Sequence, residues 1–156
     1  MKSIIDLTSF KPDDQFEWED FVRLSNQINS INQAELSNEL ETQAAVYSYY
    51  GGVLSKIKRE VDLQENTLSK LEADIRSSFY KSYKDENKAK PTDKMTEAQV
   101  IKDESYQLVK RNIIDLEYKY NLFKGLLHGL DQKKDCLIQL SSNRRAETKL
   151  YDRLND

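Results

Sequence analysis

The sequence predicts an all-α protein: a long antiparallel helical hairpin, coiled-coil-like, with a short N-terminal helix, assembling into a helical homo-oligomer. Two observations carry this. Apolar residues recur at alternating three- and four-residue spacing through Tyr47, Tyr50, Leu54, Ile57, Val61, Gln64, Leu68, Leu71, Ile75 and Ser78. The same spacing returns after Pro91 in Val109, Ile113, Leu116, Tyr120, Phe123, Leu127, Leu130, Lys134, Leu137 and Ser141. A strand would alternate at period two, whereas a 3.5-residue repeat keeps an apolar seam on one side of an α-helix. The composition agrees: 33% of the chain is charged, 38% is hydrophobic, and 156 residues include only four Gly and two Pro. This is the balance of elongated helices with large solvated faces.

Residues 1–12 mix Ile4, Ile5, Leu7 and Phe10 with a Lys-Pro pair, and read as an extended or irregular lead. Pro12, Asp13 and Asp14 suit a first helical turn, where a missing amide is harmless and carboxylates meet the positive end of the dipole. Phe16, Trp18, Phe21, Val22, Leu24 and Ile28 then support a helix over 13–29, short enough to need packing or a partner. Asn29, Ser30, Ile31 and Asn32 mark a break, so residues 1–35 form an acidic N-terminal segment and 36–156 the hairpin and oligomerisation domain.

The first long helix is expected over about 36–82, roughly 70 Å at ~1.5 Å per residue. Gly51 and Gly52 fall inside it, each costing about 1 kcal/mol against Ala. The repeat passes through them unshifted, so the helix is expected to continue, with a neighbouring backbone close by. Periodicity stops over 83–96, a charged segment containing Pro91, which reads as an exposed loop. Thr96 followed by Gln99 forms a capping box and predicts a second helix over about 97–150, ending in a charged, fraying tail. That helix has a wider apolar stripe, with Ile114, Leu126 and Leu140 flanking the seam, and Gly125 and Gly129 one turn apart. It is expected to touch more than one neighbour.

The leftover apolar surface of the two rods, many of the nine Tyr included, points to self-assembly. The expected oligomerisation residues are Tyr47, Tyr50, Leu54, Ile57, Val61, Leu68, Leu71, Tyr120, Phe123, Leu127, Leu130 and Leu137.

The formal net charge of −3 is uneven, because residues 1–46 carry three basic and nine acidic side chains. An acidic front and a mildly basic body suit different partners, although solvated faces with a chance asymmetry give the same count. The single cysteine, Cys136, allows no intramolecular disulfide and is expected as a buried structural thiol. No apolar run resembles a signal peptide or a membrane span, so a soluble protein of the cell interior is expected, with no membrane partner.

Catalytic constellations are missing from the sequence. His128 stands alone between Leu127 and Gly129 and reads as a structural histidine at a helix interface, not a metal ligand. No glycine loop is followed by a lysine-serine pair, and acids are not paired in apolar settings. Neither an enzyme nor a cofactor is expected. The segment 76–94 is different. It holds Arg76, Lys81, Lys84, Lys88, Lys90 and Lys94 against three acids, interleaved with Phe79, Tyr80 and Tyr83. Cations that follow a phosphate backbone, beside aromatic faces on which bases stack, are the ingredients of sequence-tolerant single-strand binding. The alternative is a solvated loop whose aromatics cap the hairpin.

Several short matches occur in order. They are Tyr47-Ser48, then Ile57-Lys58-Arg59-Glu60, then Arg76-Ser77-Ser78-Phe79-Tyr80. After the loop come Met95-Thr96-Glu97-Ala98, Leu116-Glu117-Tyr118, the small residues around Gly125 and Gly129, Leu137-Ile138-Gln139-Leu140 and Asn143-Arg144-Arg145. Over roughly residues 36–150 the chain resembles the UvsY-like recombination mediators of bacteriophages. The resemblance implies a ring-forming oligomer, working in the host-cell cytoplasm, that binds single-stranded DNA, displaces the single-strand-binding protein and helps load a RecA-like recombinase. The family's Lys-x-Arg dyad before paired aromatics is met here by Arg76, with Asp74 where the Lys belongs. Lys81, Lys84 and the loop lysines then supply the charge. The resulting DNA-binding set is Arg76, Phe79, Tyr80, Lys81, Tyr83, Lys84, Lys88 and Lys90. The competing expectation is a coiled-coil structural or adaptor protein, for example of a phage particle, binding protein only.

Overall fold

The computed structural model describes residues 18–87 and 89–155, and every regular element among them is helical. Helix α1 spans Trp18–Asn29, a single 3-10 turn Gln33–Glu35 follows, and α2 runs unbroken over Leu36–Asn87. Helix α3 covers Asp93–Lys102 and α4 covers Glu104–Asn155. Among the described residues no helix is long and apolar enough to cross a membrane. The expected lead over 1–12 and the first helical turn at Pro12 lie outside the described residues.

The helix limits differ from the sequence expectation in ways that local hydrogen bonds explain. Helix α2 continues five residues past Ser82, its last turn carrying Lys84, a cation that favours the negative end of the dipole. The expected loop over 83–96 therefore shrinks to the link before Asp93. Thr92 caps α3, its hydroxyl accepting the Met95 amide at 3.3 Å. Thr96 sits one turn inside α3, where its hydroxyl donates to the Thr92 carbonyl at 3.1 Å. The helix expected from 97 is interrupted at Asp103, which takes an extended backbone, ψ 124°. The Asp103 carboxylate accepts the Tyr106 amide at 3.0 Å and so starts α4, while the Gln107 side chain donates to the Ile101 carbonyl at 2.8 Å. Free helix ends are thus satisfied on both sides of the break. At its far end α4 runs to Asn155, past the expected limit near 150.

The chain divides into two compact units, Met1–Leu54 with Asn121–Asp156, and Ser55–Tyr120. The parting falls within the long helices. The reason is that α1 shares one core with the first part of α2 and the second part of α4. Phe21 meets Phe123 edge-on with ring centroids 6.3 Å apart, and Tyr50 stacks on Phe123 at 6.1 Å. Ile28, Leu36, Val53, Leu126, Leu130 and Leu137 are buried with them. In this unit α2 runs antiparallel to α4: Glu39 pairs with Lys133, Gln43 with the Leu130 carbonyl, and Tyr50 with Phe123. Helix α1 runs parallel to α4, from Phe21 at Phe123 to Asn29 at Gly129. The glycine eases this approach, because a Cβ on Gly129 would stand 2.9 Å from the side-chain amide nitrogen of Asn29, which would have to shift.

A polar junction ties the three helices together. Lys133 reaches the Glu39 carboxylate at 2.6 Å and donates to the Ile28 carbonyl at 2.9 Å. The second Glu39 oxygen accepts the Asn32 amide at 3.2 Å. One lysine therefore stabilises the C-terminal end of α1 and the N-terminal turn of α2 at once.

The second unit has a thinner core. Ile57, Val61, Val100 and Ile113 are buried, whereas Leu68, Leu71, Ile75, Phe79 and Tyr83 along α2 are half-buried. Gly51 and Gly52 leave α2 unbroken, as the repeat predicts. Among the described residues, a Cβ built on either would meet nothing within 4 Å beyond its own stretch of α2.

Candidate nucleic-acid interface

The cationic and aromatic residues expected to bind DNA fall on the last turns of α2 and the link that follows, all in the second unit. Helical phase sorts them into two stripes. Arg76, Phe79, Tyr80 and Tyr83 share one side, at three- and four-residue spacing, and Phe79 and Tyr83 approach each other with ring centroids 5.7 Å apart. Lys81 and Lys84, three residues apart, are exposed beside them, and Tyr80 presents 38% of its surface. Lys90 in the link and Lys94 in the first turn of α3 are also exposed. Lys88 lies outside the described residues.

Arg76 is already engaged. Its Nε and Nη2 both meet Oε1 of Glu72, at 2.8 and 2.7 Å, one helical turn away. The pair is partly solvated, so it is a weak clasp that a phosphate could exchange. Glu72 was not among the expected site residues. The signal for it was an acid four residues before an arginine on a helix. The other cationic cluster on α2, Lys56, Lys58 and Arg59, is exposed. Within it, Lys58 holds its proton more tightly than a free lysine, because it hydrogen-bonds Asp62 at 2.9 Å.

The expected oligomerisation residues separate into two groups. Tyr50, Ile57, Val61, Phe123, Leu130 and Leu137 are at most 2% exposed within one chain, so they build its core. Leu54, Leu68, Leu71, Tyr120 and Leu127 are half-buried, and Tyr47 is exposed with its hydroxyl 3.4 Å from Asp131. The seam of α4 also shifts. Leu126 is 1% exposed while Leu127 is half-covered, and Lys133 takes the inward position expected for Lys134. Besides Tyr47, the large apolar side chains left open include Trp18, Leu108, Ile114, Tyr118, Leu150 and Leu154.

Two single residues also depart from expectation. Cys136 is exposed, not a buried thiol, because Leu137 takes the inward position and the preceding residue lies about 100° around the helix. His128 is exposed as well, with a ring nitrogen 3.3 Å from the Gln132 amide nitrogen on its own helix. Among the described residues no group of three or more His, Cys, Asp or Glu is placed to hold a metal ion. The chain matches no family model, no curated protein and no solved structure.

Proposed function

We propose that the chain is a hairpin-built homo-oligomer acting as a recombination mediator, working in the host-cell cytoplasm during phage recombination and replication. It binds single-stranded DNA on the end of α2 and helps load a RecA-like recombinase in place of the single-strand-binding protein. The supporting observation is the pairing of stripes on one helical end: Phe79 and Tyr83 in ring contact, with Lys81 and Lys84 exposed beside them. Rings of this kind accept any base, and the lysines follow the phosphates. Each patch is modest, so several copies in one assembly raise the effective affinity. Held by many weak contacts, the strand stays exchangeable, which a protein that hands DNA to a recombinase needs.

Oligothymidine binding, followed by fluorescence anisotropy across salt concentrations, tests the reading. Saturable binding that weakens steeply from low to physiological salt is expected. Replacing Arg76, Lys81 and Lys84 by Glu should weaken it at least tenfold and leave the native mass unchanged. Unchanged affinity would move the site to Lys56, Lys58 and Arg59. The absence of saturable binding at any salt would favour the second reading, a coiled-coil adaptor that binds protein only. The observation behind that reading is the exposure of Leu108, Ile114 and Tyr118 on α4, each more than half open.

A further inference from the structure

Within the second unit, α4 carries apolar residues on two sides. Val109, Ile113, Leu116 and Tyr120 form the inward side and are buried or half-buried. On the opposite side Leu108, Arg111, Asp115 and Tyr118 recur at three-, four- and three-residue spacing, and all four are exposed. Ile114 lies beside them, one turn before Tyr118. Leu108, Ile114 and Tyr118 are each more than half open to solvent. Among the described residues neither Arg111 nor Asp115 has a hydrogen-bond or ion-pair partner, although the two stand one turn apart. A surface helix needs one apolar stripe to meet its own core. This one has a second, at the spacing of a helix–helix seam.

The order of residues along the second stripe identifies what fits it. From Leu108 to Tyr118 it reads apolar, cationic, anionic, apolar. Against a second copy running the opposite way, with the two-fold axis between Arg111 and Asp115, each position meets its complement. Leu108 then faces Tyr118 twice, and Arg111 faces Asp115 twice. A parallel copy in register would set arginine on arginine and aspartate on aspartate, a costly arrangement. Sliding the antiparallel copy by one stripe position, either way, also brings two like charges together. The charges thus fix direction and register, while the apolar side chains supply the burial.

We propose that the chain pairs with a second copy of itself through this side of α4, antiparallel, with Leu108 against the second copy's Tyr118 and Arg111 against its Asp115. This rests on the reading that the chain self-assembles, and names a surface that does it. Both copies use the same surface, so the contact closes at two chains. A larger assembly that uses it throughout holds an even number of chains.

Exchanging the charges on the full-length chain tests this, with sedimentation equilibrium at high micromolar concentration as the readout. The unaltered chain should show an even subunit number, and an odd one would overturn the pairing. Arg111→Asp alone sets acid against acid, and Asp115→Arg alone sets base against base, so each should fall to half the unaltered mass or below. An equimolar mixture of the two should regain that mass, and so should one chain carrying both exchanges. Leu108→Gln with Tyr118→Gln should lower the mass without changing charge. All four positions are exposed, and helicity checks that each variant folds. Single variants that keep the unaltered mass would overturn this pairing, leave self-assembly standing and free the face for a different protein. Lowered masses that neither mixing nor the double exchange restores would overturn the antiparallel register. An unaltered chain that is itself monomeric would overturn both the pairing and the self-assembly it rests on.

Discussion

The Lys133 ammonium stands 2.6 Å from the Glu39 carboxylate with only 9% of the lysine side chain open to solvent. At that burial neither charge is tolerated alone. Lys133→Met should destabilise the chain by about 3 kcal/mol, because it strands a carboxylate and frees the Ile28 carbonyl. Adding Glu39→Leu should cost less than the sum of the two single changes, with coupling of about 1–3 kcal/mol. Urea unfolding of the four chains measures this, and additive losses would show that the pair contributes nothing.

Glycine substitutions should divide by position. Gly51→Ala and Gly52→Ala meet open space in the middle of α2, and each should stabilise by about 1 kcal/mol. Gly129→Ala brings the same helical gain but pushes on Asn29, so its net effect should be close to zero. Pairing it with Asn29→Ala should recover the gain. Thermal unfolding midpoints of these variants decide the matter.

Burial pushes the Tyr50 hydroxyl up from 10.0 to about 12, and neighbouring Tyr49 adds to the shift. The folded state therefore holds this proton more tightly than the unfolded chain does. Its contribution to stability is full below pH 10 and is lost as pH rises from there to about 12. Unfolding measured from pH 9 upward should fall more steeply for the unaltered chain than for Tyr50→Phe. Parallel curves would contradict the assignment.

Glu72→Gln should release Arg76 from its intrahelical partner. On the proposed DNA-binding reading, oligothymidine affinity should rise a few-fold, and the salt slope should steepen by up to about 0.7 for one further phosphate contact. An affinity that falls would mean that Glu72 positions Arg76 for DNA and does not compete with it.

Cys136 should react with a coloured disulfide reagent in the folded chain at a rate close to that of the urea-unfolded chain, since it lies on the surface. Protection by orders of magnitude would return it to an interior position.

Much of the fold is legible from periodicity, and the errors have local causes. The repeat alone identifies both long helices and the continuity of α2 through Gly51 and Gly52. It cannot choose between Leu126 and Leu127, since either satisfies a seam that must pass through Phe123 and Leu130. Nor can it choose between Lys133 and Lys134 a turn later. The third helix, packed through Phe21 and Asn29, helps set the phase at Leu126 and Lys133. Thr92 and Thr96 pose the same difficulty at the start of α3. A box with Gln99 favours the later threonine, but Pro91 directly before Thr92 and Asp93 directly after it mark the earlier one. The break at Asp103 carries a cap residue and no apolar signal. In the candidate interface the lysines and aromatics are legible from composition, whereas the Glu72 clasp depends on helical spacing that a charge count overlooks.

Gln43 is buried, and its amide nitrogen lies 2.6 Å from the Leu130 carbonyl oxygen of α4. Two rods that share one repeat could slide past each other by a whole heptad and still match grease to grease. Such a slip, about 10 Å, would give this amide another carbonyl on α4 but would part the buried Lys133 from Glu39 and strand both charges. The ion pair thus acts as an index pin, making a single longitudinal alignment of α2 and α4 in this unit the one that sets.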